Sequence, residues 1–469
     1  MVKLTFYGGV NEIGGNKILL EDQDTKIFLD FGKSFGVWGK YFEEYLKPTS
    51  SRGIETFWKT GLLPDIEGIY RPDLLEFAGA PVHKETAVQA VLLSHAHFDH
   101  AAYISFLDND ITIYCTPTTQ KVMETVQEVG QRELENEITN YKPRPLLRKD
   151  YKKPPIKRKI EAVTNKFKIG PLEVEPLPVD HSVPGACAFI IHCSEGAVVY
   201  SGDLRMHGIM GHLTQEFAEH AAIAKPELFL CEGTRITSIE NHGEPYVKAN
   251  SAKVIEETKN IVFADFSWKD TTRFLTFYEC AKAAGRKLLI PFRTARYIQV
   301  LKSVIPALPN INDANILLYQ EKCGSGTYDE SDYTEQWKKS MLNASNVARA
   351  DYIHAHQGEI VACLGYFDML DMIDIKPDAG SAYIHSMSEA FNEEMAFAEW
   401  GCNHWLELFG LPKHQIHASG HAPQPDLVKV INTVKAKTLM PIHTEHKEEF
   451  KKFHANVLFP EKENVVRSK

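Results

Sequence analysis

The stretch Val88-Gln89-Ala90-Val91-Leu92-Leu93-Ser94-His95-Ala96-His97-Phe98-Asp99-His100 decides how the chain is read. Its first seven residues form a short apolar run of the kind that becomes a buried strand. The next six carry three imidazoles and a carboxylate. A strand end fixes the backbone, so the loop that follows can turn these groups onto one point. Neutral imidazole and carboxylate are the ligands that borderline divalent ions prefer. A surface cluster rarely packs four of them into six residues, so the stretch predicts a metal site.

Working outward, further candidate ligands stand at the ends of other apolar runs. His181 follows Leu177-Pro178-Val179-Asp180, Asp203 closes Tyr200-Ser201-Gly202-Asp203, and His443 follows Leu439-Met440-Pro441-Ile442. None is a thiolate, which excludes a structural Cys-type zinc site and leaves Zn²⁺ and Mn²⁺ both open. The eight cysteines contain no C-x-x-C pair and read as buried free thiols in a reducing compartment.

The 469 residues amount to about three domains at the usual size. A net charge of −10 argues against a generally basic nucleic-acid binder, though not against a local cationic site. No apolar run reaches the roughly 18 residues of a membrane span, and the N-terminus turns at Gly8-Gly9, too early for a secretory signal. The expectation is a cytoplasmic protein with no membrane partner.

Strands are predicted at 3–7, 26–30, 88–94, 111–115, 172–179, 188–192, 197–201 and 228–231, with residues 21–24 as a turn. Residues 33–86 read as an ordered excursion with short helices. Between Lys142 and Lys168, eleven Lys or Arg stand against only Asp150 and Glu161. That segment is either a solvated hairpin or loop, or an arm over a phosphate backbone. After Pro245, helices at 247–259 and 271–284 alternate with strands at 260–264, 287–291, 360–364 and 382–385, which predicts an α/β module with a parallel sheet. A helix over 389–409 leads back to the C-terminal histidines.

Asp30, His95-x-His97-x-Asp99-His100, His181, Asp203 and His443 resemble, in order, the five motifs of the metallo-β-lactamase fold. Leu230-Cys231-Glu232-Gly233-Thr234, His417-Ala418-Ser419-Gly420-His421-Ala422 and Met440-Pro441-Ile442-His443 resemble motifs A, B and C of its β-CASP branch. Within that branch, Gly8-Gly9-Val10-Asn11-Glu12-Ile13-Gly14-Gly15-Asn16, Gln357-Gly358-Glu359 and His417-x-Ser419-Gly420-His421 are similar to segments of ribonuclease J. One difference stands out: Phe266-Ser267-Trp268-Lys269-Asp270 occupies the place where that family often has S-N-x-H-R.

The resemblance implies an α/β protein, an αββα metallo-β-lactamase sandwich with an inserted α/β β-CASP domain. Its domains would be 1–245 and 398–469 for the sandwich and 246–397 for the insert. It implies two divalent metal ions, Zn or Mn. His95, His97 and His181 would hold one ion, Asp99, His100 and His443 the other, and Asp203 would bridge them, with Asp30 supporting from behind. Asp99, His421 and Glu232 would be catalytic. His417, Ser419, Gly420, Gln357, Gly358 and Glu359 would bind substrate, while Arg273, Arg293 and Arg296 would lie along the substrate path or on helix surfaces.

The implied activity is hydrolysis of single-stranded RNA, from the 5′ end, internally, or both, with a homodimer as one assembly option. A hydrolase of DNA or a small ester is the first alternative. The insert and motifs A and B argue against the ester, because a small substrate needs neither. A catalytically silent RNA-binding scaffold is the second alternative, and the complete set of seven ligands argues against it.

Overall fold

A computed structural model describes residues 2–43, 45–131, 133–144, 154–240, 242–388 and 393–467. The chain divides into two compact units: residues 1–206, 210–240 and 420–469, and residues 207–209 and 241–419.

The first unit is built on two sheets. In one, the antiparallel strands Lys3–Gly8, Lys17–Asp22 and Thr25–Phe31 continue into the parallel strands Ala90–Leu92, Thr112–Cys115 and Ile160–Ala162. Val465–Arg467 pairs with the free edge of Lys3–Gly8. In the other, Phe167–Ile169, Leu172–Pro178, Cys187–Cys193 and Gly196–Tyr200 form an antiparallel meander, extended by the parallel strands Leu228–Glu232 and Thr438–Ile442.

Alternate residues of a strand point to opposite faces. Leu4, Phe6, Leu20, Leu29 and Leu92 therefore meet Val174, Phe189, Ile191, Val198, Leu230 and Met440 in one core between the sheets. The other face of the second sheet is covered by helices Gly211–Ile223 and Gln424–Val434, through Phe217, Ala221, Leu427, Val430 and Ile431. The helical turns Phe98–Ala101 and Ala102–Phe106 and the helix Pro117–Val129 pack on the first sheet. This is an αββα sandwich.

The strand Lys17–Asp22 is absent from the sequence reading, which takes residues 21–24 as a turn. Glu21 and Asp22 are instead the last rungs of a tight hairpin, opposite Lys26 and Thr25. The excursion 33–86 supplies three short helices, Phe35–Trp38, Glu55–Lys59 and Pro72–Ala78. Phe57 from this excursion packs against Tyr103 and Phe106.

Residues 145–153 of the basic run lie outside the described residues. Around them, Asn140–Tyr141 pairs with Ile156–Lys157 as a hairpin. Arg158 is buried and donates to the carbonyls of Leu107 and Ser105, Lys159 pairs with Asp110, and Lys166 pairs with Glu173 and Glu175. These three cations serve the fold.

The second unit contains a sheet of seven parallel strands. Its order is Val347–Ala348, Ile316–Tyr319, Lys287–Pro291, Ile360–Ala362, Val262–Asp265, Ala382–His385 and Lys413–Gln415. The sequence reading returns to the sandwich at 398, whereas the structure keeps residues up to 419 here. Helix Glu393–Phe409 buries Cys402 and Leu406 in this unit's core, and Lys413–Gln415 completes its sheet edge. Among the described residues, no helix is long and apolar enough to cross a membrane.

Candidate metal centre

Strand ends of the first unit supply the polar constellation. Asp30 lies in Thr25–Phe31, with a left-handed backbone (φ +56°). His95 to His100 follow Ala90–Leu92, and Asp203 follows Gly196–Tyr200. Glu232 ends Leu228–Glu232. His443 follows Thr438–Ile442, also left-handed (φ +52°), where its amide donates to Gly9 O at 2.8 Å.

Two groups of side chains converge, with their ligand atoms within 4.8 Å of one another: His95, His97, His181 and Asp203, and then Asp99, His100, Asp203 and His443. Asp203 belongs to both. Its Oδ2 lies 3.6 Å from His95 Nε2, 3.1 Å from His100 Nε2, 3.8 Å from His181 Nε2 and 3.7 Å from His443 Nε2. The rings of His95, His97 and His181 stand at 4.7–4.9 Å from one another, nearly perpendicular in each pair.

Four of the rings are aimed through Nδ1, while His97 Nδ1 faces His181 Nε2 at 3.1 Å. His95 Nδ1 meets Ser94 Oγ at 2.9 Å, and His181 Nδ1 donates to Gly420 O at 2.6 Å. His100 Nδ1 donates to Asp30 Oδ2 at 2.6 Å, and His443 Nδ1 meets Thr234 Oγ1 at 2.8 Å. This fixes the Nε2 atoms toward the centre, the usual arrangement of imidazoles around a metal. Asp30 also accepts from Ser94 N, Ser94 Oγ and Tyr200 OH.

The residues fit a divalent cation. His95 Nε2 and Asp203 Oδ1 are buried with no hydrogen-bond partner, and His100 Nε2 approaches Asp203 Oδ2 without hydrogen-bond geometry. Burial and the neighbouring imidazoles hold His95 and His181 well below the ordinary histidine pKa, in the neutral form that binds metal. Burial alone would raise Asp203, yet the surrounding imidazoles keep its carboxylate well below the usual range.

Beside this centre, His421 Nδ1 lies 3.3 Å from Glu232 Oε1 and 3.9 Å from Asp203 Oδ2. Glu232 is fully buried and also accepts from the amides of Leu204 and Thr234. Burial works against charge on His421, but Glu232 and then Asp203 outweigh it and push its pKa up to about 9.

The glycine-rich N-terminal segment crowds Asp99. A Cβ on Gly14 would sit 2.7 Å from both Asp99 Cβ and Oδ2. Asn16 N donates to Asp99 O, and the buried Lys17 Nζ ties the carbonyls of Gly15 and Gly32.

Other expected site residues fall elsewhere. Gln357 is buried, and its amide is engaged by Lys376 O and Asp378 N. Gln357-Gly358-Glu359 forms a helical turn at the amino end of Ile360–Ala362. Gln357 is thus committed to holding this turn, while Gly358 and Glu359 are exposed beside it. Arg273 is neither on a substrate path nor on a helix surface: it is buried and pairs with Glu244. Arg296 is on a helix surface, bonded to Gln299.

His417 is fixed through Nδ1 to Ser386 O, and burial together with Arg273 pushes its pKa down to about 3. As a neutral ring donating from Nδ1, it offers an acceptor at Nε2. Sequence reasoning missed Ser94, Thr234 and the Gly420 carbonyl as orienting groups, because hydroxyls and carbonyls carry no signal until the fold brings them together.

Comparison with known proteins agrees with this geometry. A beta-lactamase superfamily domain matches residues 64–243, and a Zn-dependent metallo-hydrolase RNA specificity domain matches residues 412–454. Ribonuclease J of Pyrococcus abyssi is 24% identical over 463 residues, covering 95% of this chain and 90% of the relative. Ribonuclease J 1 of Streptococcus pyogenes is 25% identical, covering 96% and 69%. Ribonuclease J of Sinorhizobium meliloti is 22% identical, and there the match spans 81% of this chain and 62% of the relative. A crystal structure of an Enterococcus faecalis protein of unknown function shares the fold, with a TM-score of 0.74, 24% identity and 99% coverage of both chains.

Fold and constellation define a protein of the metallo-β-lactamase superfamily with a site for divalent metal. Within that class, the chain is ribonuclease J-like, similar over 95% of its length to the Pyrococcus abyssi relative.

Proposed function

We propose that the protein is a metal-dependent ribonuclease that hydrolyses phosphodiester bonds of single-stranded RNA in the cytoplasm, 5′ to 3′, internally, or both. The observation that carries this reading is the pair of four-ligand groups sharing Asp203, placed beside His421 and Glu232. His95, His97, His181 and Asp203 would hold one ion, and Asp99, His100, His443 and Asp203 a second, as Zn²⁺ or Mn²⁺. Ions there supply Lewis acidity at the phosphate and lower the pKa of the attacking water.

The chain's own residues do the rest. Asp99, held between the Gly14 backbone and His443, orients the attacking water. His421, its Nδ1 turned to Glu232, offers Nε2–H to the leaving oxygen. Ser419 and the Gly420 amide grip a neighbouring phosphate, with His417 anchoring their loop.

The test is incubation of labelled single-stranded RNA, matching DNA and a chromogenic lactam with Zn²⁺ or Mn²⁺. Cleavage of RNA is expected. RNA left intact under both metals, or cleavage of the lactam instead, would overturn the reading. Parallel 5′- and 3′-labels assign the mode by the size of the first product, and sedimentation tests for the homodimer.

Three variants probe individual roles. Gly14→Ala should slow cleavage about a hundredfold, since displacing a reacting group by an ångström has that effect. Its thermal unfolding should move far less, and an unchanged rate would remove Gly14 from the account. In Glu232→Gln, His421 loses its main anionic neighbour and holds its proton less tightly. The proton-donating form is present below the ring's pKa and lost above it, so the alkaline limb of kcat should move to lower pH. A limb that stays in place would free His421 from that role. Ser419→Ala should weaken any preference for a 5′-monophosphate over a 5′-hydroxyl end, as read by competition between the two RNAs.

A further inference from the structure

We propose that the second unit carries a nucleobase-binding pocket of its own, at the carboxyl edge of its parallel sheet. A crevice of about 360 Å³ opens there, within the range of small-molecule sites. Val262–Asp265 comes first in chain order. From it the chain runs to one side through Lys287–Pro291, Ile316–Tyr319 and Val347–Ala348, returns to Ile360–Ala362, and then crosses to Ala382–His385 on the other side. Parallel sheets bind ligands outside the carboxyl ends of their strands where the order reverses in this way. Asp265, Cys363 and His385, at the ends of three of these strands, line the crevice.

The walls suit a flat aromatic ring. Phe266, Trp268 and Phe367 line the crevice. Phe266 is held by stacking on Phe277 at 5.2 Å, and Trp268 by an edge contact with Tyr297 at 5.2 Å. Phe367 is 87% exposed at the rim. Aromatic faces of this kind stack bases with little regard to sequence. Phe266 and Trp268 belong to the segment in which this chain departs from the ribonuclease J pattern.

The polar groups suit a base edge. Asp368 holds Arg293 through Nη2, at 3.0 and 3.1 Å, and leaves Arg293 Nε buried with no hydrogen-bond partner. An unsatisfied buried donor is costly, and a ring nitrogen or carbonyl of a base would satisfy it. Asp265 Oδ2 accepts from Tyr383 and His385, which fixes this carboxylate in the wall as an acceptor for base N–H groups.

A nucleobase could arrive as a free nucleoside or nucleotide, or as one residue of RNA bound for cleavage. Only the second source rests on the proposed function. The probes are the four ribonucleosides, which have no phosphate for the 417–420 loop to grip, titrated by calorimetry into the full-length, metal-loaded protein. Saturable binding of at least one nucleoside is expected, weakened at least about tenfold in both Arg293→Met and Phe367→Ala, a change of about 1.4 kcal/mol or more. Phe367 is so exposed that its replacement tests the pocket without testing folding.

Displacement of the nucleoside by a cleavage-resistant phosphorothioate RNA assigns the pocket to the substrate; no displacement assigns it to a free nucleoside or nucleotide. Absence of binding by all four, or binding unchanged in both variants, overturns the proposal. RNA cleavage without nucleoside binding leaves the ribonuclease reading standing alone. Nucleoside binding without RNA cleavage leaves only the pocket.

Discussion

Asp203→Asn is expected to empty both ion sites at once and to lower RNA cleavage by roughly a thousandfold or more, about 4 kcal/mol of transition-state stabilisation. The reason is geometric. One carboxylate oxygen lies within 3.1–3.8 Å of the Nε2 atoms of His95, His100, His181 and His443. The amide keeps the size of that group but removes the one anion common to both sets of ligands. Asp99→Asn and His443→Ala touch only the second set and should each reduce bound metal by about one ion. Elemental analysis of the three purified variants separates the cases. An Asp203→Asn protein with unaltered metal content and rate would overturn the shared-ligand reading.

Asp30→Ala should be the most damaging change to stability. Asp30 is fully buried and receives four hydrogen bonds: from Ser94 N (2.7 Å), Ser94 Oγ (2.7 Å), His100 Nδ1 (2.6 Å) and Tyr200 OH (2.5 Å). Removing one member of a buried charged network costs about 3–5 kcal/mol, because its partners stay behind without water. His100 would also lose the group that aims its ring, so metal content should fall as well. Urea unfolding measures the first effect and elemental analysis the second. A variant as stable as the parent protein would show that Ser94, His100 and Tyr200 find other partners.

The centre was largely legible in the sequence because its chemistry is local. His95, His97, Asp99 and His100 are contiguous, and His181, Asp203 and His443 each end an apolar run. What could not be read is whatever depends on distant, chemically ordinary partners. Nothing in Thr234 announces that it will meet His443, and nothing in Gly420 announces that its carbonyl will hold His181.

Burial misled in both directions. Lysine is a residue type mostly found exposed, yet Lys17 is buried at the start of a strand, where two glycine carbonyls cage its amine. Gln357 and Arg273 look available for substrate, yet both face inward. The return to the sandwich near 398 failed for a similar reason: the helix Glu393–Phe409 carries apolar residues that either unit could have taken up, and only packing decides which.

The centre draws its side chains from Asp30 to His443, and the His443 amide is held by the Gly9 carbonyl. Strands near the start of the chain therefore wait for a strand near its end before the second ligand group can meet. During synthesis, the group of Asp99, His100, Asp203 and His443 cannot assemble until residue 443 has left the ribosome, whereas His95, His97, His181 and Asp203 are all present by residue 203. The second four-ligand group is therefore the last part of the centre that synthesis completes.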